Sequence, residues 1–279
     1  MFIAGFLAAV LPFAVHPAVE RAVPERLVPE RPRVAAADPA APDYSPESIA
    51  NPITASAGPF AAGSFLTIYG NNLAYVTGSV TGIDKPGAVL PTVLIDTNLH
   101  VLINHIPANM LYVSPQQINI LIPTSLVPGP ATVQVVNQSL AGPPVTIMLD
   151  PVAPALVALK GGTVLAAHLD GTLVAPATPA HRGELVVVYA MGLGTTVPPQ
   201  LPNQAPDGAA SISDLEHFQL LFNTQPVDAK WIPYVGISPP YAGIYQINLF
   251  IPDTAPDNPE IQISFPNFIS PAAGILPIQ

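Results

Sequence analysis

The sequence predicts an all-β protein made of two tandem β-sandwich domains, and three observations lead to this prediction. Proline accounts for 37 of the 279 residues, more than twice its average share of roughly 5%. Each interior proline removes a backbone donor and clashes with the preceding turn, so long helices are excluded. Short runs of β-branched and aromatic residues are bounded by glycine, proline, asparagine or aspartate, as in strands. Finally, one phrase occurs twice, as QINILIP at residues 117–123 and QINLFIP at residues 246–252.

The repeated phrase belongs to a longer internal repeat. Matched blocks follow one another in the same order, at separations of 120 to 129 residues. The pairs are residues 63–73 with 183–193, 93–98 with 220–225, 111–123 with 234–238 and 245–252, and 132–135 with 260–263. Conserved order at a nearly constant separation indicates a duplicated domain. With several short strands in each unit, the chain is predicted to form two immunoglobulin-like sandwiches related by internal duplication.

The repeat also makes local predictions. FLTIY and LVVVY are predicted central strands, because both are continuously apolar. In the QIN phrases the glutamine and asparagine alternate with isoleucine, and the closing proline ends the strand, which we place at the sandwich edge. Tyr69 should be equivalent to Tyr189, and Ile118 to Ile247. Residues 213–223 resemble a capped helix, but their repeat partner VLIDTN favours a strand over residues 218–222 after a short turn.

The N-terminal region differs in composition from the rest. Residues 1–18 contain an apolar run that is too short to span a bilayer and has the length of a signal-peptide core; a buried strand is the alternative. Residues 19–50 are rich in proline, arginine and glutamate, which indicates an extended spacer. The predicted domains are residues 51–150 and 155–279, joined near LDPVAP. We expect export to the extracellular space or cell envelope, with no stable membrane span in the mature chain.

Three blocks together carry a resemblance to a known family. They are residues 63–73, residues 112–123 and residues 234–248 (YVGISPPYAGIYQIN). The chain resembles, over roughly residues 51–279, the uncharacterised C-terminal domain family of acidobacterial exported proteins first noted in Solibacter. It departs from that pattern at Val235 and at residues 228–231. The resemblance implies a sandwich fold and an exported location, and the family has no established biochemical activity to carry over.

The charge distribution excludes one class of partner. The chain has 8 Lys and Arg residues against 18 Asp and Glu residues. Four of the basic residues lie in the spacer, and the remainder are scattered, at Lys85, Lys160, Arg182 and Lys230. A nucleic-acid partner needs a basic stripe that neutralises phosphates, so none is expected. There is no cysteine, which removes disulfides and thiolate chemistry.

Catalytic patterns are not evident in the sequence. His100 and His105 fall on opposite faces of a predicted strand, and His168 with Asp170 supplies only two donors on one face. There is no G-x-S-x-G elbow, and two prolines follow MGLGTT where a phosphate-binding helix would have to begin. We therefore expect no enzyme and no cofactor.

Two groups of residues are candidate binding sites. The loop DTAPDNPE offers the oxygen donors Asp253, Asp257 and Glu260, together with Asn258, for calcium, although ordinary turn residues have the same composition.

The second group is aromatic and lies in the second repeat. Trp231, Tyr234, Tyr241 and Tyr245 cluster in sequence and could stack on a carbohydrate or another small ligand. The alternative is packing in the core and in a tyrosine corner.

These observations lead to a first functional hypothesis and two alternatives. The first is a non-enzymatic exported module that mediates adhesion, through protein or cell-surface contacts. The second is carbohydrate or small-ligand binding through the aromatic cluster. The third is a periplasmic pilus-type chaperone, which needs basic residues in an interdomain cleft and finds only Lys85 in the first repeat.

Overall fold

The computed structural model of the protein describes residues 40–94 and 97–279. Within these ranges the regular structure consists of strands and three single-turn 3-10 helices, so the all-β prediction is confirmed. No helix there is long and apolar enough to cross a bilayer. The signal-like segment and most of the spacer lie outside the described residues.

The elements of the first half are η1 Pro46–Ser48, β1 Ile49–Ala50, β2 Phe60–Ala61, β3 Phe65–Tyr69, β4 Gly78–Ser79, β5 Leu99–Ile103, β6 Ile106–Pro107, β7 Asn109–Val113, β8 Gln117–Leu121, β9 Gly129–Asn137, β10 Leu140–Ala141 and β11 Val145–Asp150. One sheet has the order β1-β3-β8-β7-β4, and the other has the order β2-β11-β9-β5-β6, with β10 beside β9. Isoleucines and valines alternate along these strands and enclose a single core, which includes Ile68, Ile118, Val101, Val133 and Ile147.

The elements of the second half are β12 Ala155–Leu156, β13 Ala166–His168, β14 Leu185–Met191, β15 Thr196–Val197, β16 Ser211–Ile212, η2 Leu215–His217, β17 Gln219–Phe222, β18 Gln225–Pro226, η3 Ala229–Trp231, β19 Tyr234–Ser238, β20 Tyr241–Phe250, β21 Ile261–Phe265 and β22 Phe268–Ile269. The sheets have the orders β12-β14-β20-β19-β16-β15, with β13 beside β14, and β18-β17-β21-β22. Their core includes Val188, Ile247, Leu220, Tyr245 and Ile263.

Strand register shows that the two halves are duplicates. Tyr69 lies opposite Gln117 and Ile68 opposite Ile118 in the first sandwich. In the second sandwich Tyr189 lies opposite Gln246 and Val188 opposite Ile247. The predicted equivalences of the two tyrosines and of the two isoleucines are therefore confirmed.

One block of the predicted repeat was matched to the wrong partner. Residues 220–225 are equivalent to residues 101–106, VLINHI, and not to VLIDTN. Asn104 donates its N–H to Thr132 O (2.9 Å) and accepts the Thr132 N–H on Oδ1 (2.8 Å), while Asn223 makes the same two bonds with Glu260 (2.8 and 2.9 Å). The prediction of a strand near residues 218–222 is nevertheless confirmed by β17, which follows the short η2 turn.

The QIN strands are central and not at an edge. β8 lies between β3 and β7, and β20 lies between β14 and β19. The glutamine donates to the asparagine two positions on, from Gln117 Nε2 to Asn119 Oδ1 (2.9 Å) and from Gln246 Nε2 to Asn248 Oδ1 (3.1 Å). The amides are thus paired with each other along the strand, on the face away from each sandwich core. Both strands are paired on both sides, which the sequence alternation alone cannot distinguish from an edge position.

That outer face joins the two sandwiches. A third apolar cluster combines side chains from both halves: Phe65, Leu90, Leu111 and Leu121 with Val157, Leu165, Ala167, Tyr189, Met191, Ala205 and Ile244. Backbone hydrogen bonds reinforce it, from Leu90 N to Asn203 O (2.9 Å) and from Ala205 N to Ala88 O (2.8 Å). Burial raises the pKa of Tyr189 to about 12. The sandwiches therefore pack directly against each other.

Candidate functional site: a groove beside Trp231

The four aromatic residues of the predicted platform lie in different surroundings in the structure. Tyr245 is fully buried, its hydroxyl donates to Gly194 O, and burial raises its pKa. The Tyr234 hydroxyl accepts the Ala210 N–H (3.2 Å) and donates to Ile237 O (2.9 Å), which fixes it as a corner between strands. Tyr245 is therefore not part of an exposed platform, and the Tyr234 hydroxyl is occupied by backbone groups.

The other two rings lie in separate places. Tyr241 packs against the cluster between the sandwiches, where burial and the nearby charge of Asp84 raise its pKa. Trp231 ends the η3 turn and is half-buried against the second core. Trp231 lines an open groove.

Trp231 lies on an insertion that the first repeat lacks. Tyr112 and Tyr234 occupy equivalent positions, opposite Asn119 and Asn248. Five positions separate Pro107 from Tyr112 in the first repeat, whereas eight separate Pro226 from Tyr234 in the second. The three additional residues form η3, in which Asp228 Oδ1 accepts the Lys230 N–H (3.0 Å) and caps the turn.

The groove lies between this insertion, the β17–β18 turn and the loop after β20. Its volume is about 530 Å³. The lining residues are Phe222, Asn223, Gln225, Pro226, Val227, Asp228, Lys230, Trp231, Pro252, Thr254, Ala255 and Pro256. The structure therefore brings two sequence candidates together, since Trp231 faces the beginning of the DTAPDNPE loop.

The groove combines one aromatic ring with several polar groups. Lys230 Nζ lies 5.6 Å from the centre of the Trp231 ring and 3.1 Å from Asp228 Oδ2. Hydrogen bonds from the Lys230 backbone and side chain hold the pKa of Asp228 below its usual range, so its carboxylate is charged at neutral pH. Amides at Asn223 and Gln225 and a hydroxyl at Thr254 add neutral donors and acceptors.

The structure gives the calcium prediction no support. Arg182 Nη2 contacts Asp257 Oδ1 (2.5 Å) and donates to Ala255 O (2.8 Å), so an arginine neutralises this carboxylate. Asn258 Oδ1 accepts the Ile278 N–H (3.3 Å), which ties the loop to the C-terminal segment. Asp253, Asp257 and Glu260 do not form a group of close ligand atoms. Among the described residues, such a group is formed by Asp214, Glu216 and His217, all of which are exposed.

The ring of His168 is held by contacts within the fold. His168 Nδ1 lies 2.5 Å from Glu184 Oε1, and Nε2 lies 3.1 Å from Thr178 O. With both ring nitrogens bonded to the fold, this imidazole has none left to exchange a proton with a substrate. Its partner is Glu184, whereas Asp170, the predicted neighbour, instead accepts the N–H and hydroxyl of Thr172.

Lys85, the residue on which the chaperone alternative depends, is exposed on the loop before β5. The space between the sandwiches is filled by the third apolar cluster. This geometry does not support a cleft that holds a partner's carboxylate.

Comparison with known proteins places a family domain in the first half. Residues 49–148 match the IPT/TIG domain, so an immunoglobulin-like IPT/TIG domain is present there. No curated protein sequence matches the chain.

Several solved structures are similar in part. One is SGBP-B of the Bacteroides ovatus mixed-linkage glucan utilization locus, solved with a mixed-linkage heptasaccharide: 12% identity, TM-score 0.33, 88% of this chain and 47% of that chain. A second is SGBP-B from a xyloglucan utilization locus of Bacteroides uniformis, with 13% identity, TM-score 0.26 and coverage of 85% and 49%. A third is the surface glycan-binding protein of Prevotella bryantii, with 11% identity, TM-score 0.27 and coverage of 77% and 37%. The chain spans less than half of each, and similarity at this level transfers no ligand or function.

Proposed function

We propose that the protein is an exported, non-enzymatic tandem sandwich that binds a carbohydrate in the groove beside Trp231. The observation that carries the proposal is the groove itself, an indole set among neutral amides, a hydroxyl and a carboxylate. Aromatic rings stack on the apolar faces of sugars, and planar polar side chains bond their hydroxyl groups. The site lies on the insertion that distinguishes the second repeat from the first, as expected for a binding function added to a duplicated scaffold.

The rest of the proposal concerns architecture and location. The proposed domains are residues 51–150 and 155–279, and the short strand β1 just before the first limit adds to the first sheet. Export to the extracellular space or cell envelope follows from the signal-like segment and the resemblance to acidobacterial exported proteins. The absence of a recognisable catalytic arrangement in the sequence, and the full bonding of the His168 ring, support a non-enzymatic function.

A glycan microarray probed with the full chain tests the proposal, followed by calorimetric titration of any sugar that binds. We expect Trp231→Ala to weaken binding at least tenfold, because the indole supplies the stacking surface. Gln225→Ala should weaken it several-fold through the loss of hydrogen bonds. Tyr69→Ala is the matched control, since this tyrosine is exposed on the first sandwich and away from the groove.

Two results would reject the groove as a sugar site. One is an array on which no sugar binds above background. The other is a sugar that binds Trp231→Ala as tightly as it binds the unaltered protein.

A further inference from the structure

Strand β11 has an unpaired edge. β9 pairs with β11 along residues 145–149. On its other side β11 pairs with β2, but only at Leu149 and Asp150. Among the described residues no strand pairs with residues 145–148 on that second side.

The hydrogen-bonding register shows which groups this edge presents. The Thr132 C=O accepts the Asn104 N–H, and the Thr132 N–H donates to Asn104 Oδ1. Both backbone groups of Thr132 therefore point away from β11. Backbone groups alternate in direction along a strand, so those of Ala131 and Val133 point toward β11 and meet Ile147 and Val145. The N–H and C=O groups of Thr146 and the N–H of Met148 therefore point outward, to the unpaired side, whereas the Met148 C=O reaches the pairing of Leu149 with Phe60.

An indentation of about 410 Å³ lies beside this edge. It is lined by Pro46, Glu47, Ala57, Gly58, Pro59, Phe60, Thr146, Ile147, Met148 and Asp150. Gly58 and Pro59, which immediately precede β2, line the indentation and do not pair with β11. The space that another strand would fill is left open.

The chemistry of the indentation identifies the kind of partner. Its walls are mostly apolar, and the Met148 side chain is 56% exposed. Its two charged lining residues, Glu47 and Asp150, are both carboxylates. An added strand would satisfy the outward backbone groups, and a basic side chain on it would meet these carboxylates.

We propose that an extended peptide segment of another protein, carrying lysine or arginine, adds to the sheet beside Thr146 and Met148. This interaction lies on the first sandwich and is independent of the sugar groove on the second. A second copy of this chain fits less well, because pairing two such edges brings like carboxylates together in a chain with a net charge of −10. The chain's own arginine-containing segment, residues 20–33, has three prolines that cannot donate to a ladder.

Selection from a display library of random twelve-residue peptides, with the full chain as bait, tests the proposal. We expect the enriched peptides to contain lysine or arginine beside alternating apolar residues. Met148→Pro removes the outward N–H and leaves the β9 ladder intact, so it should weaken binding of an enriched peptide at least tenfold. Met148→Ala keeps that N–H and should weaken binding much less, which separates strand pairing from side-chain contact.

Charge reversal supplies a second test. The double change Glu47→Lys and Asp150→Lys should shift the selected peptides from basic to acidic. Trp231→Ala should leave peptide binding unchanged, so failure of the sugar proposal and failure of this one are distinguishable.

Amide hydrogen exchange on the unaltered protein tests strand addition even if Met148→Pro fails to fold. Addition of an enriched peptide to the unaltered protein should slow exchange at Thr146 and Met148. The proposal is overturned by unchanged exchange at both amides, by selected peptides without a basic bias, or by full binding in a folded Met148→Pro variant. Sedimentation that shows a dimer held by this edge would also overturn it, in favour of a second copy.

Discussion

At the scale of single residues, the His168–Glu184 pair is the clearest ionisable feature. Both imidazole nitrogens face oxygen atoms, Glu184 Oε1 and Thr178 O, an arrangement that favours the doubly protonated, charged ring. The hydrogen bond to Glu184 raises the pKa of His168. Burial acts to raise the pKa of Glu184, but its bonds to His168 and to the His181 N–H bring the value below the usual range. The pair therefore favours the charged forms of both groups.

Replacement of His168 should make stability less dependent on pH. A histidine with a raised folded pKa stabilises fully below its unfolded value of about 6.5 and loses that contribution as the pH rises through the folded pKa. The Glu184 contribution is lost as the pH falls through its lowered folded pKa. We expect His168→Gln to reduce the free energy of unfolding by about 1 kcal/mol near pH 5.5 and by much less at pH 9.

Urea unfolding at the two pH values measures this difference. His100→Gln, a histidine on β5 outside the pair, is the control. An equal loss at both pH values would contradict the ionic account. The sequence could not identify the pair, because Glu184 is 16 residues from His168 and meets it only after β13 pairs with β14.

At the scale of elements, the β5–β6 turn and the β17–β18 turn are closely equivalent in the two repeats. Asn104 and Asn223 have φ values of 49° and 47°, in the left-handed region that asparagine tolerates better than most residues. Each also accepts a backbone N–H from the neighbouring strand. Conformation and hydrogen bond together explain why both copies have asparagine here.

Substitution of either asparagine should therefore have the same effect. We expect Asn104→Ala and Asn223→Ala each to cost about 1–3 kcal/mol, from left-handed strain and a lost hydrogen bond. The glycine variants keep the conformation and should cost less. Thermal unfolding measures all four, and a large loss at only one of the two sites would argue against their equivalence.

At the scale of the whole molecule, the apolar cluster between the sandwiches decides how they are joined. Gly243 has a φ of +77°, and a Cβ there would lie 2.6 Å from Leu121 Cδ1 and 3.1 Å from Gly63 O, both in the first sandwich. Close approach of the two units thus requires glycine at this position.

An alanine at Gly243 should loosen the pair of sandwiches. Gly171→Ala is a matched control, because it has a similar φ of +86° and open space around its Cβ. Both variants incur left-handed strain of about 1–2 kcal/mol, and Gly243→Ala adds overpacking of about 1–3 kcal/mol. Calorimetry should show a lower melting temperature for Gly243→Ala and separate transitions for the two sandwiches. Identical melting curves for the two variants would contradict this account.

The sequence by itself determined the all-β class, the duplication and the equivalence of Tyr69 with Tyr189 and of Ile118 with Ile247. These follow from local chemistry, namely the exclusion of helices by proline, the period-two alternation and the repeated QIN phrase. Local patterns also selected Trp231 and the loop after β20, but as unrelated candidates.

Only the tertiary structure decided what the candidate residues do. Tyr245 and Trp231 belong to one aromatic cluster in the sequence, yet Tyr245 is in the core and Trp231 lines a groove, because burial depends on which elements pack over each ring. The QIN strands are central because residues far apart in the chain pair with them on both sides. Contacts of the same long-range kind pack their outer faces between the two sandwiches. Alternation specifies that a strand has two faces, and only long-range packing determines what covers each of them.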